Sequence, residues 1–296
     1  MPELPDITIY VESLQRRVLG QELRALDIHT PFLLRTVDPP LQSVGGKRVE
    51  SLRRIGKRIA LALADDLFIV VHLMIAGRFR WTSAPPKPTR NRHVLATFTF
   101  SSGTLTLTEA GTKKRASLHI VRGADALRQF ERGGLEPLDI NEAAFAERLR
   151  SENHTIKRSL TDPRMFSGIG NAYSDEILHR ARLSPAKLTS RLTDADITRV
   201  YSATQDVLRE WIERMRDEVG DGFPEKVTAF RPEMAVHGKY GQPCPVCGTA
   251  VQRIRYADNE TNYCARCQTE GKLLADRAFS RLLKQDWPRR IEELEG

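Results

Sequence analysis

The chain has no long apolar run and no recognisable targeting segment. Its longest hydrophobic stretch, residues 67–75, includes His72, whereas a membrane-spanning helix needs roughly 18 consecutive apolar residues. The first residues carry Glu3 and Asp6 and lack the basic and then apolar pattern of a secretion signal. We therefore expect a protein that is not secreted, has no membrane partner and acts in the cytosol or nucleoid.

Cysteine is scarce and confined to one short segment. Four cysteines among 296 residues form two Cys-x-x-Cys pairs separated by sixteen residues, Cys244 with Cys247 and Cys264 with Cys267. This clustering is not that of a scattered disulfide framework, and two redox pairs at this spacing are the less favoured interpretation. The spacing is typical of a zinc ribbon, which predicts one structural Zn²⁺ held by four thiolates with no open position.

Acidic residues are outnumbered by basic ones. The chain has 46 Lys and Arg against 38 Asp and Glu, a formal net charge of +8. A basic protein favours a polyanionic partner, because each phosphate that is neutralised releases counterions. Charge alone leaves a solvated surface and a nucleic-acid interface equally open.

The periodicity predicts an α+β fold. Pro5 lies in a predicted first helical turn, and Ile7, Tyr10, Leu14 and Val18 mark one helical face. Turn signals then separate six β-rich runs, which predict an antiparallel β-sandwich: residues 22–30, 48–54, 58–64, 67–73, 93–100 and 104–108. Helical patterns follow at residues 141–150, 154–160, 172–181 and 194–216.

These patterns predict four segments. A β-sandwich domain with an N-terminal helix covers residues 1–130, and a helical domain covers residues 131–232. The zinc finger covers residues 233–270, and a C-terminal extension covers residues 271–296, in which residues 275–287 favour a short amphipathic helix.

The start of the chain carries a reactive pair. Removal of Met1 would leave Pro2 as a secondary amine beside the carboxylate of Glu3. Such an amine attacks an aldehyde-like carbon to give a charged iminium that withdraws electrons from the attached sugar. Taken alone, Pro2 is better explained as a processed terminus that precedes a helix.

A glycine-rich turn precedes the third helical pattern after residue 140. Gly168, Gly170 and Asn171 could aim backbone N–H groups and an amide side chain at phosphate oxygens. Without further context, the same residues are a common helix cap. Arg253 and Arg255, between the two cysteine pairs, are further candidate phosphate contacts.

Five motifs occur in order: Pro2-Glu3-Leu4-Pro5-Asp6, Lys57 in a basic strand, the segment 72–77 (His-Leu-Met-Ile-Ala-Gly), the turn 168–173 and the cysteine pairs. Together they resemble the formamidopyrimidine-DNA glycosylase and endonuclease VIII family over residues 1 to about 270. The resemblance implies a β-sandwich domain, a helix-two-turn-helix domain with a zinc finger, and bent DNA with a flipped-out damaged nucleotide.

The resemblance also implies roles for single residues. Pro2 would be the nucleophile at the sugar C1′ atom, Glu3 the acid that assists sugar opening, and Lys57 a proton donor to the sugar or phosphate. Further residues would contact DNA: Gly170 and Asn171 in the turn, His93, Lys157, the finger residues Arg253 and Arg255, and Met74 or Ile75 as an inserted side chain.

Three departures from the family pattern bear on the reaction. In family members with a guanine-type preference, an Asp-Pro-Arg-Arg-Phe loop fills the void left by the flipped base and touches the opposite base. Residues 109–115 stand in its place and contain no aromatic wedge. Asn259 stands where the family has a finger arginine, so we expect mainly β-elimination. The loop before the finger is about six residues short of the family loop that caps 8-oxoguanine, which argues against that base as the preferred substrate.

The sequence thus predicts a monomeric base-excision-repair glycosylase with AP lyase activity on damaged double-stranded DNA, removing oxidised or ring-opened bases. A non-catalytic binder of abasic or bent DNA on the same scaffold is the alternative. A zinc-ribbon interaction protein with no nucleic-acid function is the third and most distant one.

Overall fold

The computed structural model describes residues 1–85, 91–225, 227–228, 230–256, 259–275 and 288–295. The chain forms two compact units. The first comprises Met1–Arg132 and Trp211–Thr228, and the second comprises Gly133–Glu210 and Ala229–Gly296.

Helix α1 (Leu4–Val18) opens the first unit. It confirms the predicted N-terminal helix. The Glu3 backbone N–H donates to Asp6 Oδ2 at 2.8 Å and so satisfies one of the unpaired donors at the helix start. The buried Tyr10 ring packs edge-on against Phe79 with ring centroids 5.7 Å apart, and its hydroxyl accepts the Phe79 backbone N–H. The start of α1 therefore has a fixed position against the β-structure.

Eight strands form the β-structure: β1 (Glu22–Ile28), β2 (Lys47–Ile55), β3 (Arg58–Leu63), β4 (Leu67–His72), β5 (Gly77–Thr82), β6 (Val94–Phe100), β7 (Gly103–Glu109) and β8 (Ser117–Arg122). Their order is β5-β7-β6-β1-β2-β3-β4-β8, and every pairing is antiparallel. β1 and β2 pair only at Glu22 with Arg48 and at Leu23 with Lys47, so two four-stranded sheets meet at this corner. One buried core draws on both sheets and on α1.

The six predicted strands are confirmed, and two strands were missed. β5 follows immediately after the turn that ends at Gly77, and β8 pairs with β4 across a separation of about fifty residues in sequence. Helix α2 (Ala124–Arg128) was missed as well. A single turn of helix leaves too few residues for a periodic pattern.

The second unit begins with helices α3 (Glu142–Arg150), α4 (Ile156–Thr161) and α5 (Asn171–Arg180), and with most of α6 (Asp194–Val219). All four confirm predicted helices. The finger follows with β9 (Gln252–Tyr256), β10 (Asn259–Tyr263) and α7 (Ala265–Thr269), and the last element is α8 (Glu292–Glu295).

The predicted helix at residues 275–287 lies, except for Ala275, outside the described residues. Within the described ranges, no helix combines the length and the apolar character needed to cross a membrane.

Candidate active site and nucleic-acid interface

Helix α1 places Pro2 and Glu3 in a buried position at its N-terminal end. Pro2 is buried and Glu3 is only 3% exposed. The positive end of the helix dipole favours a carboxylate here, so Glu3 is compatible with both a structural and a catalytic role. The two residues therefore have a fixed geometry relative to the sheets.

Four charged side chains surround the amino terminus. Burial lowers the pKa of the Met1 amine; Glu3 and Asp6 oppose that shift, while Arg78 and Lys57 reinforce it. After removal of Met1, the same surroundings would act on the Pro2 nitrogen. A lowered pKa increases the fraction of amine that is unprotonated and nucleophilic at neutral pH.

Lys57 belongs to the same charged cluster. It follows Gly56, and the two residues form the tight turn between β2 and β3. Gly56 has a φ of 59° there. Burial lowers the pKa of Lys57, while the carboxylates of Glu3 and Asp6 act in the opposite direction. The structure thus brings together the three predicted catalytic residues, and it adds Arg78, which the sequence did not single out.

His72 lies at the end of β4, opposite Arg58 of β3. Burial and the nearby cations Arg58 and Lys57 lower its pKa to about 4, so the ring is neutral at physiological pH. The sequence showed His72 only as part of a motif. Its place beside Lys57 depends on the β3–β4 register, which periodicity alone does not specify.

The turn after β4 carries the candidate inserted side chains. The Gly77 N–H donates to the Leu73 carbonyl at 2.9 Å, and a Cβ on Gly77 would lie 2.2 Å from that oxygen, so only glycine fits. Met74 is partly buried with a φ of 53°, whereas Ile75 is 54% exposed. Arg78 donates to the Ile75 carbonyl at 3.1 Å. Ile75 is therefore the exposed apolar tip, with Met74 behind it.

The loop that follows β7 is closed by a buried carboxylate. Glu109 is 1% exposed, and its oxygens accept the backbone N–H groups of Arg115 at 3.0 Å and Ala116 at 3.2 Å. Lys114 Nζ donates to the Glu109 carbonyl and lies 3.4 Å from His93 Nδ1. The loop is thus basic and internally braced, with no aromatic side chain, as its sequence predicts. The sequence did not reveal the clamp by Glu109.

In the second unit, the glycine turn leads directly into α5. Gly168 has a φ of 82°, and Gly170 is the residue that precedes the helix. Asn171 begins α5, and its Nδ2 donates to the Glu260 carbonyl of β10 at 2.7 Å. The predicted phosphate-binding turn and the finger hairpin are therefore joined by a hydrogen bond.

Lys157 has a different environment from the one its predicted DNA contact suggests. Its side chain is 12% exposed and its Nζ donates to the Asn171 carbonyl at 3.1 Å, to Ser174 Oγ at 2.9 Å and to Asp175 Oδ1. An ammonium has three donors, and all three have acceptors within the protein. This geometry favours a role in holding the start of α5, and a direct DNA contact stays a prediction.

Asp175 is the centre of a buried polar network. Its side chain is 0% exposed, and its Oδ2 lies 2.8 Å from His237 Nδ1 and accepts the Asn262 backbone N–H at 3.2 Å. With Lys157, it links α4, α5, the segment before the first cysteine pair and β10. The sequence pattern did not single out Asp175.

The four cysteines meet as the zinc ribbon requires. Their sulfur atoms all lie within 4.8 Å of one another, with Cys247 Sγ and Cys264 Sγ 3.4 Å apart. A tetrahedral zinc with bonds of about 2.3 Å needs sulfur atoms at such separations, so the four thiolates fit the ion. His179 of α5 places Nε2 3.3 Å from Cys244 Sγ.

The two predicted finger arginines differ in environment. The Arg253 guanidinium lies 4.1 Å from the Tyr240 ring centroid, and its Nη1 is 3.9 Å from Glu260 Oε2. Arg255 is exposed. The Asn259 side chain, which stands in place of the family arginine, lies outside the described residues.

Three family models match the chain in the expected order. They are the formamidopyrimidine-DNA glycosylase N-terminal domain at residues 1–115, its H2TH domain at residues 134–221, and the zinc finger found in the same glycosylase and in isoleucyl-tRNA synthetase at residues 241–269. A formamidopyrimidine-DNA glycosylase of Pelotomaculum thermopropionicum is 30% identical over 277 residues, 90% of this chain and 99% of that protein. This chain belongs to the formamidopyrimidine-DNA glycosylase family.

Two further matches agree with this assignment. An uncharacterized formamidopyrimidine-DNA glycosylase-like protein of Mycobacterium tuberculosis is 42% identical over 151 residues, which cover 51% of this chain and 94% of that protein. The Lactococcus lactis glycosylase, solved with DNA that contains an abasic site, is 26% identical with a TM-score of 0.78, over 90% of this chain and 99% of that one.

Family membership confirms the main sequence predictions. The fold combines an antiparallel β-domain, an H2TH domain and a zinc finger, and the finger holds one structural zinc. The chain is a base-excision DNA glycosylase that binds DNA, and the non-catalytic alternative is not favoured.

Proposed function

We propose that this glycosylase removes oxidised or ring-opened bases from double-stranded DNA and then cuts the strand, with Pro2 as the nucleophile. The main support is the cluster of Pro2, Glu3 and Lys57 at the amino terminus, where burial lowers the pKa of the Met1 amine. Such a perturbed group next to a carboxylate and a lysine is typical of a covalent catalytic site.

In the first step, the Pro2 nitrogen forms a bond to C1′ of the damaged nucleotide. The base leaves with the electron pair of the glycosidic bond and takes up a proton. Glu3 protonates the ring oxygen O4′, so the sugar opens and the nitrogen, having lost its own proton, becomes a positively charged iminium. Glu3 is suited to this role because its position at the helix start is fixed.

In the second step, the iminium acidifies the C2′ hydrogen. Loss of this proton places a double bond between C2′ and C3′ and expels the 3′ phosphate with the electrons of the C3′–O bond. Lys57 donates a proton to the departing phosphate, which a lysine with a lowered pKa does more readily than an ordinary one. Water then hydrolyses the imine and restores the amine.

The proposed DNA contacts lie in both units. The turn of Gly170 and Asn171 presents an amide and the start of α5 to phosphate, and Arg253 and Arg255 add positive charge on the finger. His93, beside the basic loop after β7, is a further backbone contact. Ile75, with Met74 behind it, is the side chain proposed to enter the base stack.

The finer predictions belong to the same proposal. We propose that the enzyme acts as a monomer in the bacterial cytosol, in keeping with its bacterial relatives, and that its domains end near residues 130, 232 and 270. The short loop before the finger supports lesions other than 8-oxoguanine.

Borohydride trapping tests the nucleophile. Reduction during the reaction should link the wild-type protein covalently to duplex DNA that carries an abasic site or an oxidised base, and peptide mass spectrometry should place the adduct on Pro2. A protein that cuts the DNA while it retains Met1, or an adduct on any other residue, would refute the assignment.

Matched variants separate the roles of the acid and the lysine. Glu3→Gln should slow base removal, whereas Glu22→Gln, at an exposed position of β1, should not. Lys57→Met should slow strand cutting at a preformed abasic site, and Lys47→Met, on a partly exposed lysine that pairs with Asp65, is its control. Equal rates within either pair would show that the assigned role is wrong.

A further inference from the structure

The last described residues of the chain return to the finger. The Leu273 N–H donates to the Arg289 carbonyl at 2.8 Å, and the Ile291 N–H donates to the Gly271 carbonyl at 2.8 Å. Lys272 and Arg290 form an antiparallel bridge between these hydrogen bonds. The segment 288–295, which we call the terminal segment, is thus paired through its backbone with the residues that follow α7.

The terminal segment also completes a small apolar core. Ile291 is 1% exposed, and it packs in one cluster with Ile254 of β9, Tyr263 of β10, Ala265 of α7 and Leu273. This cluster is distinct from the one that surrounds the cysteines. The apolar face of the hairpin is therefore buried against a side chain that comes from the end of the chain.

The opposite face of β9 carries the basic residues. Side chains alternate along a strand, so Arg253 and Arg255 point away from the side on which Ile254 packs. Elsewhere on the hairpin, β10 is held to α5 by the hydrogen bonds of Asn171 and Asp175. The orientation of the two arginines thus depends on α5 and on the terminal segment.

The terminal segment lies beyond the shared part of the family. The zinc-finger match ends at residue 269, and the Pelotomaculum relative is covered over 99% of its length by 90% of this chain. Because these matches say nothing of the terminal segment, we infer its role from its contacts in this protein.

We propose that the terminal segment is a positioning element of the finger. Ile291 seals the apolar face of the hairpin, which slows zinc release and holds Arg253 and Arg255 in place for DNA phosphates. The DNA part rests on the proposed function, whereas the effect on the finger itself does not depend on it.

The test compares Ile291→Asp with Leu294→Asp in the full-length zinc-loaded protein. Leu294 lies three residues further along and is 52% exposed, so it receives the same charge without loss of packing. Zinc transfer to a chromogenic chelator, hydrogen exchange of β9 and β10, and affinity for a duplex with a non-cleavable abasic analogue are measured. The single-turnover rate at saturating protein is measured on an abasic duplex.

Ile291→Asp should speed zinc release and hairpin exchange by about tenfold or more, since the cluster opens locally. Its DNA affinity should fall, and the dependence of log affinity on log salt should become shallower by about two, because two arginine contacts are lost. The saturated single-turnover rate should not change. Leu294→Asp should match the wild type throughout.

Zinc release and hairpin exchange that are the same in both variants would overturn the packing role. A faster release with unchanged DNA affinity and salt dependence would overturn the positioning of the arginines. If Ile291→Asp does not fold, Ile291→Ala gives the same comparison without a buried charge. A wild-type protein that binds zinc normally but fails to bind the duplex would instead count against the proposed function, and the zinc and exchange data would still decide the packing role.

Discussion

Replacing Asp175 by asparagine should weaken the second unit far more than the loss of an ordinary ion pair. The Asp175 side chain is fully buried, and its partners Lys157 and His237 are only 12% and 5% exposed. The substitution keeps the shape and one acceptor oxygen but removes the charge. It leaves the Lys157 ammonium in a buried position without its carboxylate partner.

The expected magnitude follows from this burial. Breaking a buried ion pair from one side costs about 3–5 kcal/mol, because an uncompensated charge stays behind. We expect about 3 kcal/mol for Asp175→Asn, since the new amide oxygen can still accept a hydrogen bond. The matched control is Glu210→Gln, which removes an exposed pair with Arg180, the two side chains being 41% and 50% exposed. Pairs of this kind contribute about 0–1 kcal/mol.

Native-state hydrogen exchange, carried out at the same zinc concentration for each protein, measures this loss of stability. The Asn262 N–H, which donates to Asp175, is the most direct probe, and peptides from α5 report the turn at its start. A loss of about 3 kcal/mol corresponds to an exchange rate about 100-fold higher. An increase no larger than that in the control would show that the network does not stabilise this unit, and the reasoning would be wrong.

Two further predictions concern acid stability and reaction products. Folding lowers the pKa of His72 from 6.5 to about 4. The neutral ring therefore costs the folded protein no stability above about pH 6.5, whereas the free energy of unfolding falls as the pH drops from about 6.5 towards about 4. The wild-type protein should therefore lose free energy of unfolding between about pH 8 and about pH 5. In His72→Asn this loss should be smaller by about 1–2 kcal/mol, with allowance for the partial exposure of His72. Identical urea unfolding curves for variant and wild type at both pH values would contradict this. Since Asn259 stands in place of the finger arginine of the family, cleaved DNA should carry mainly β-elimination ends. A gel dominated by 3′-phosphate ends would contradict this. It would show that another residue supports the second elimination, and Arg255 is the first candidate.

The sequence predicted the local elements and the zinc site well because both depend on residues close together in the chain. The helix that starts near Pro5, the alternating strands and the two cysteine pairs each have a short-range signal. The shared family motifs added the order of the domains. Strand β8 was missed because its pairing with β4 is a long-range contact, and no turn residue links the two strands.

The polar interactions of the site were less predictable, for a physical reason. A buried carboxylate such as Glu109 or Asp175 has no distinctive sequence signal, because its partners are backbone N–H groups and side chains from distant segments. Lys157 illustrates the same limit. Its sequence position suggests a phosphate contact, whereas its three donors serve the start of α5.

Helix α5 connects the predicted phosphate-binding turn with the zinc site. Asn171, Asp175 and His179 recur every four residues, so they lie along one face of the helix. They contact, in order, the Glu260 carbonyl, the Asn262 N–H and Cys244 Sγ. Because a helix of ten residues is rigid, a displacement of the finger would move the start of α5 as well. If Asn171 binds a DNA phosphate as proposed, the structural zinc site would affect DNA binding through the position of Asn171 while taking no part in the chemistry.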